Sequence, residues 1–431
     1  MNMDIYDYLD RVIKSGIWRD VVKPRLSRNS ICVLCRGRSN LCGKPKCPVI
    51  MEFEAVSKYI RSLYTREIYG NTPPSIFVGR YGYPKVYLGP LVPPIQGDTR
   101  IYDYPEYWID YSLDKILEMR SILVFGGKRV DVSIAREGDR YYQDILDISL
   151  SILSPEVELK LARTPVKFIE IDEDIIPFGP RGPLENLRLG TLKIDYRVER
   201  ASSDYDLRAE DAVWNLYLKG IPISRIQRVF SVGGLGLRRS RRIVPTRWSI
   251  TAVDDIIGRR LIKMVKKYPL INDIEVYEYN ALGNKFIAVL IPRHWSYEFI
   301  EAWYPGTFWN RLGDGIVIES DYELYGGRED YAEIGGCYYA SRLATLEYLN
   351  SIGRQATVVI FREIYPSYVF PVGVWIVRES VRRMFMGKTI KFNNLVNALR
   401  YVYSRLKTPR EDIGSFLLDF IFRQRRMSEY V

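Results

Sequence analysis

Apolar and polar positions alternate along the chain in two ways, one typical of helices and one typical of strands. Residues 3–18 place apolar side chains at intervals of three and four, which predicts a leading helix. From residue 73 the apolar runs become short and are separated by glycine and proline, which indicates strands joined by tight turns. Gly79, Gly82 and Gly89 are expected to mark turns or close approaches of two backbones.

The second half of the chain carries the same mixture of patterns. Residues 273–292 alternate on both sides of the sequence NALGN, which predicts a β-hairpin. Because hairpins and helices follow each other without a regular strand–helix–strand rhythm, we expect the α+β fold class, with two mixed lobes. Further strands are predicted over 315–320, 356–363 and 370–377, and helices over 337–351 and 391–406.

These patterns divide the chain into five predicted parts. The division between the two large domains is expected near residues 250–270, where a strongly basic segment ends. The parts are a leading helix over 1–25, a four-cysteine metal module over 26–50, an N-terminal α+β domain over 51–255, a C-terminal α+β domain over 256–407, and a helix with a short tail over 408–431.

The last helix has a start signal in the sequence TPRED. Thr408 takes the capping position, Pro409 the first helical position and Glu411 the third, which together form a capping box with the favoured proline. The helix is therefore expected to run to about Arg423.

Four of the five cysteines lie within sixteen residues, with the spacing C-x2-C-x6-C-x4-C. A tetrahedral zinc ion needs four thiolates, and a C-x2-C turn supplies two of them at once. An iron–sulfur cluster is the alternative, because a proline follows the fourth cysteine. A structural role is favoured over a catalytic one, since no further ligand is apparent. The four residues are Cys32, Cys35, Cys42 and Cys47.

Basic residues are concentrated in one segment. Residues 225–267 hold twelve Arg or Lys and two Asp, a charge of +10, while the whole chain carries +11. Within it, the sequence GGLGLRRSRRIVPTRWS contains a glycine-rich stretch that can expose backbone amides to a phosphate. An arginine cluster and a tryptophan suited to stacking on a base follow. This composition favours contact with nucleic acid. The candidate residues are Arg238, Arg239, Arg241, Arg242, Arg247 and Trp248.

Three acidic residues support the alternative hypothesis that the protein is an enzyme. Glu319 and Asp321 alternate along a predicted strand and share one face, an arrangement that a divalent metal can use. Asp254 is a third candidate ligand, although its spacing from Thr251 favours the start of a helix over about 252–267. A metal-dependent nuclease or other hydrolase is therefore the alternative, and we assign no catalytic residue. An RNA-binding zinc protein fits the charge equally well.

The apolar runs are of strand length and far below the ~20 residues of a membrane span. The first residues carry acids and tyrosines where a signal peptide has a basic start and an apolar run. A cytoplasmic protein, associated with the nucleoid through its partners, is expected.

The final eight residues have the pattern of a peptide ligand. As one helical turn they would gather Met427, Tyr430 and Val431 on one side, with Gln424 one turn earlier. The spacing Q-x-x-M-x-x-Y-V resembles the peptide with which replication and repair proteins bind the sliding clamp, PCNA. Val431 stands where a second aromatic residue is usual.

Four segments together resemble one family. They are CVLCRGRSNLCGKPKCP, RRIVPTRWSITAVDD, GGCYYASRLATLEYL and the terminal peptide, which occur in the order typical of the archaeal Nre family of DNA-repair proteins. The resemblance spans nearly the whole chain. It implies a role in the repair of DNA damage, a C4-type zinc finger at the four clustered cysteines, and association with the clamp through residues 424–431. It supplies no catalytic residue.

Overall fold

The computed structural model describes residues 47–166, 175–310 and 313–423. They form two compact units, unit 1 over residues 47–250 and unit 2 from residue 251 onward. Each unit contains a six-stranded sheet and several helices, which confirms the α+β class. The leading helix, most of the four-cysteine module and the terminal tail lie outside the described residues.

Unit 1 is built on a mixed sheet. Its strands are β1 (Glu67–Asn71), β2 (Ile76–Val78), β3 (Lys85–Val92), β4 (Val124–Asp131), β5 (Glu156–Leu161) and β6 (Arg181–Leu189). They follow the order β1-β5-β6-β4-β3-β2, in which β4 and β6 pair in parallel and the other neighbouring strands pair antiparallel. Its helices are α1 (Pro48–Ser57), α2 (Ile60–Leu63), α3 (Leu113–Ser121), α4 (Ile134–Glu137), α5 (Arg140–Leu150), α6 (Tyr196–Ser203), α7 (Ala209–Leu218) and α8 (Ile223–Ser231).

Glycines shape the edge of this sheet near β2 and β3. Gly82 adopts a φ of +82° in the turn between the two strands, as predicted. A Cβ on Gly89 would lie 1.9 Å from the carbonyl oxygen of Gly126 on β4, so the predicted close approach is also confirmed. At Gly79 a Cβ would meet the Tyr87 carbonyl oxygen at 3.5 Å, an ordinary contact, and the prediction is wrong there.

Helix α9 (Thr246–Val265) begins in unit 1 and continues into unit 2. It starts six residues before the predicted position, so Thr251 and Asp254 lie in the body of the helix and the predicted capping box is wrong. Asp254 is fully buried and both its carboxylate oxygens accept hydrogen bonds from Arg378 Nη1, at 3.0 and 2.9 Å. Its partner, rather than a helix terminus, accounts for its position.

Unit 2 is also built on a six-stranded sheet. Its strands are β7 (Ile274–Ala281), β8 (Asn284–Ile291), β9 (Ser296–Trp303), β10 (Val317–Glu323), β11 (Thr357–Ile364) and β12 (Ile390–Phe392). They follow the order β10-β9-β11-β8-β7-β12, and every residue of the central strand β11 is buried. Its further helices are α10 (Gly336–Ile352), α11 (Trp375–Phe385), α12 (Leu395–Arg405) and α13 (Phe416–Arg423).

The hairpin of β7 and β8 confirms the turn predicted at NALGN, with Leu282 and Gly283 at positive φ. The strand predicted over 370–377 is wrong. This run is buried because it leads into α11, whose Trp375 indole donates a hydrogen bond to the carbonyl oxygen of Val372. A short buried run gives the same apolar pattern in a strand and at the start of a helix.

Helix α13, described over Phe416–Arg423, begins at Phe416 instead of near Thr408 as predicted. Thr408 does not cap the helix, because its backbone N–H and its hydroxyl both donate to Glu363 Oε1, at 2.7 and 2.8 Å. Glu298 of β9 caps α13, because its carboxylate accepts from the backbone N–H groups of Phe416 and Leu417 at 2.8 and 3.0 Å.

In unit 1, Asp195 caps helix α6 and joins two arginines. It accepts from the Arg197 backbone N–H at 3.0 Å, from Arg197 Nη2 at 2.9 Å and from Arg225 Nη1 at 3.2 Å. The Arg197 side-chain hydrogen bond is the main reason that the pKa of Asp195 falls from 3.8 to about 2. A carboxyl whose pKa is lower in the folded state stabilises the fold above its unfolded pKa, and this contribution is lost as the pH falls through the folded pKa.

Replacing Asp195 with asparagine is therefore expected to lower the free energy of unfolding by about 2 kcal/mol at pH 7. At pH 3, between the two pKa values, the loss should be about half as large. Urea denaturation of both proteins at the two pH values measures this difference. A loss that is the same at pH 3 and pH 7 would show that the ionised carboxylate contributes nothing.

Candidate nucleic-acid interface

The basic segment of unit 1 turns its arginines in different directions. Its central part, residues 238–248, begins with a short 3-10 helix, Arg238–Ser240, and continues into the first turn of α9. Arg238, Arg239 and Arg242 are exposed, whereas Arg241 is buried. The arginine cluster predicted as one site is thus divided between the surface and the interior.

The buried Arg241 has a structural role in the loop. Its Nε donates to the carbonyl oxygen of Gly236 at 2.8 Å and its Nη2 to that of Ser202 at 2.6 Å. Its guanidinium lies 4.5 Å from the centre of the Tyr205 ring, and the side chain is 5% exposed. Arg241 therefore fixes the loop that presents its neighbours, and we leave it out of the candidate surface.

Tyr205 also contacts the first exposed arginine. Its carbonyl oxygen accepts from the Arg238 backbone N–H at 3.1 Å, and its ring lies 5.5 Å from the Arg238 guanidinium. The ring itself is half-exposed. Arg238 is thus held at its backbone while its side chain stays at the surface, where it can reach a phosphate.

An aromatic pair lies a few residues further along the segment. The rings of Trp248 and Tyr83 are 5.3 Å apart at an angle of 53°, and each side chain is nearly half exposed, at 46% and 42%. Exposed aromatic rings of this kind provide surfaces on which the bases of a single strand stack. Trp248 therefore has the exposure that its predicted role requires.

Arg247 lines a cavity of about 430 Å³ in unit 1. Three further arginines line the same cavity, and these had no signal in the sequence because they are spread over a hundred positions. They are Arg80, Arg163 and Arg181. The start of α9 adjoins this cavity, since the Thr246 hydroxyl accepts from the backbone N–H of Val78 at 2.9 Å.

The three acidic residues predicted as possible metal ligands do not form one site in the structure. Asp254 is paired with Arg378, and Asp321 accepts from Arg328 Nη2 at 2.9 Å and from the Glu333 backbone N–H at 2.7 Å. Glu319 is exposed on β10. Within the described ranges, no three His, Cys, Asp or Glu side chains come close enough together to hold a metal ion.

Two predicted sites fall largely outside the described residues. Cys47 is described and lies directly before α1, partly exposed, whereas Cys32, Cys35 and Cys42 are not described. The predicted clamp-binding residues Gln424, Met427, Tyr430 and Val431 also lie outside the described part. The metal module and the clamp peptide therefore stay predictions. Of the helices that are described, none is both long enough and apolar enough to span a membrane.

Comparison with known proteins identifies the family. The family model described as Archaeal Nre, N-terminal, matches residues 41–310, and the model described as Archaeal Nre, C-terminal, matches residues 323–430. The chain belongs to the archaeal Nre family, which confirms the resemblance seen in the sequence. No solved structure was found to match it.

Three relatives show how far the similarity extends. DNA repair protein NreB of Archaeoglobus fulgidus is 42% identical over 90% of this chain and 95% of its own length. DNA repair protein NreA of the same organism is 35% identical over 87% and 94%. DNA repair protein NreA of Haloferax volcanii is 34% identical over 80% and 84%. The similarity thus covers both units.

Proposed function

We propose that this chain is a DNA-repair protein that binds DNA through the exposed side of its basic segment and is held at its site of action by the sliding clamp. Its relatives are named DNA repair proteins, which supports the biological role. The observation that carries the DNA contact is that exposed Arg238, Arg239 and Arg242 lie on the same short segment as the exposed Trp248, whose ring contacts that of Tyr83.

This surface suits single-stranded or locally opened DNA. Guanidinium groups bind phosphates of any sequence, and aromatic rings stack on any base, so the surface selects an accessible strand instead of a base sequence. Fluorescence anisotropy of a labelled single strand over a range of salt concentrations tests the contact. Binding that weakens steeply with salt supports it, and binding that is absent at low salt overturns it.

The clamp contact rests on the tail. A clamp bound to residues 424–431 would raise the local concentration of the protein at DNA, so that two weak contacts together give stable association. Replacing Gln424 and Tyr430 with alanine is expected to abolish the heat of binding to the clamp, because this removes the polar anchor and the largest apolar group.

Isothermal titration calorimetry of the full chain with the clamp of its own organism measures this effect. Ser428→Ala is the matched control, since it changes a tail residue outside the Q-x-x-M-x-x-Y-V positions and should leave binding intact. Equal heats for the parent and the Gln424/Tyr430 variant would remove the clamp from the proposal.

We also propose that the four clustered cysteines bind one zinc ion as a structural staple. Elemental mass spectrometry of the purified protein is expected to find one zinc per chain, and Cys42→Ser should lower this content. Cys337→Ser is the control, since Cys337 is buried in unit 2 and lies far along the chain from the cluster. Iron in place of zinc would overturn the assignment in favour of an iron–sulfur cluster.

A further inference from the structure

The cavity beside Arg247 is formed by four adjacent strands of the unit 1 sheet. Arg181 of β6, Phe125 of β4, Tyr87 of β3 and Phe77 of β2 all line it, in the order in which the strands pair. Its volume of about 430 Å³ lies within the ~300–1,000 Å³ typical of small-molecule sites.

Three phenylalanine rings form one wall of the cavity. The ring of Phe77 lies 5.4 Å from that of Phe125, at a right angle, and 4.8 Å from that of Phe178. Phe125 and Phe178 are buried, while Phe77 is partly exposed. The partly exposed Phe77 thus contributes an apolar surface against which an aromatic ring can pack.

Arginine guanidinium groups add positive charge to the same cavity. The Arg181 guanidinium lies 4.4 Å from the centre of the Phe178 ring and 5.7 Å from that of Phe77. Contact with the rings holds this planar group in place, which favours bidentate binding of a phosphate. Together with Arg80, Arg163 and Arg247 it gives the described lining four cationic side chains.

The first turn of α9 adds to the positive potential. Pro245 and Arg247, on either side of Thr246, both line the cavity, so the beginning of this twenty-residue helix borders it. The N-terminal end of a helix carries a partial positive charge and attracts phosphate groups. The aromatic wall and the cationic groups thus converge on one ligand class, a planar base that carries phosphate.

We propose that this cavity holds one unstacked nucleotide of the bound strand, with its base against the phenylalanine wall and its phosphate on the arginines. The proposal rests on the proposed DNA contact, and it adds a pocket to that surface. The pair of Trp248 and Tyr83 lies close in sequence to Arg247 and Tyr81, which line the cavity, and we assign to it the stacking of the next base. A base that is damaged, mismatched or unpaired requires the least free energy to leave its stack. The pocket would therefore bind such a base in preference to a normally paired one.

Ligand-observed NMR with 2′-deoxyadenosine 5′-monophosphate tests the pocket directly. Deoxyadenosine and inorganic phosphate serve as probes of the two halves of the ligand. We expect the nucleotide to bind with a Kd at least tenfold lower than either half, and Arg181→Gln and Arg80→Gln each to raise its Kd at least tenfold. Arg188→Gln is the control, because Arg188 lies on the same strand as Arg181, is 72% exposed and does not line the cavity.

Two results would overturn the proposal. One is a nucleotide Kd equal to that of inorganic phosphate, which would show that the aromatic wall takes no part. The other is an equal nucleotide Kd for the parent, Arg181→Gln and Arg80→Gln, with all three proteins showing the same thermal unfolding. Salt-dependent binding of a single strand without nucleotide binding would reject the pocket alone, and nucleotide binding without any binding of the strand would reject the proposed DNA contact alone.

Discussion

Replacing Arg238, Arg239 and Arg242 together with alanine is expected to weaken the binding of single-stranded DNA at least tenfold at low salt. These three guanidinium groups are exposed and lie within five residues of each other, so each can neutralise a phosphate. Loss of three phosphate contacts should reduce the slope of log Kobs against log salt concentration by about 2, since each contact on a single strand contributes ~0.7. Fluorescence anisotropy at several salt concentrations measures both quantities.

The control variant removes the same charge elsewhere. Arg188, Lys391 and Arg405 are exposed and each is paired with a carboxylate on the surface. Replacing these three with alanine should leave the slope nearly unchanged, because they lie outside the proposed surface. Equal slopes for the two triple variants would show that only net charge matters. Competition with RNA of the same sequence measures the preference between the two nucleic acids.

Replacing Arg378 with alanine is expected to destabilise unit 2 by about 3–5 kcal/mol, the usual cost of removing one partner from a buried ion pair. Arg378 is 1% exposed and Asp254 is fully buried, so the carboxylate would lose its counter-ion without gaining water. Burial raises the pKa of Asp254, and the Arg378 guanidinium opposes this rise. Urea denaturation at pH 7, monitored by circular dichroism, measures the loss.

Helix α9 itself provides the matched control for this prediction. Arg259 and Asp255 form an ion pair at 2.7 Å on the same helix, but the Arg259 side chain is 65% exposed. Arg259→Ala should cost less than about 1 kcal/mol, as is usual for surface pairs. If Arg378→Ala costs no more than Arg259→Ala, the buried pair does not account for the position of Asp254.

Helix starts show where local sequence rules succeed and fail in this chain. The capping patterns at Thr251 and Thr408 both satisfy the spacing of a capping box, yet neither residue begins a helix. The carboxylate of Asp254 is bound to Arg378, 124 positions away, and the start of α13 is capped by Glu298, more than 115 positions away. A pattern of four residues contains no information about such distant partners.

Features that depend on neighbouring residues were predicted better. The hairpin at NALGN and the positive φ of Gly82 are local properties of the backbone, and both are confirmed. The basic segment is also local, but its division into surface and interior is not. Arg241 lies between the exposed Arg239 and Arg242 in one short run, and its burial is decided by Ser202 and Tyr205, which are remote in the sequence.

The cavity was missed for the same reason. Its arginines come from two loops (positions 80 and 163), a strand (position 181) and a helix (position 247), and none of the first three belongs to a charged cluster in the sequence. The tertiary fold of unit 1 brings them together. Sequence patterns therefore predict the α+β class and the candidate surface, whereas the cavity can be identified only from the folded structure.

Photo-cross-linking tests the central claim, that DNA contacts the exposed side of the basic segment in unit 1. A single strand containing 5-bromouracil is bound to the full chain, irradiated and digested, and the cross-linked peptides are identified by mass spectrometry. We predict cross-links to Trp248 and Tyr83, whose rings are nearly half exposed and contact each other. Cross-links confined to unit 2, with none on residues 238–248 or Tyr83, would contradict the claim.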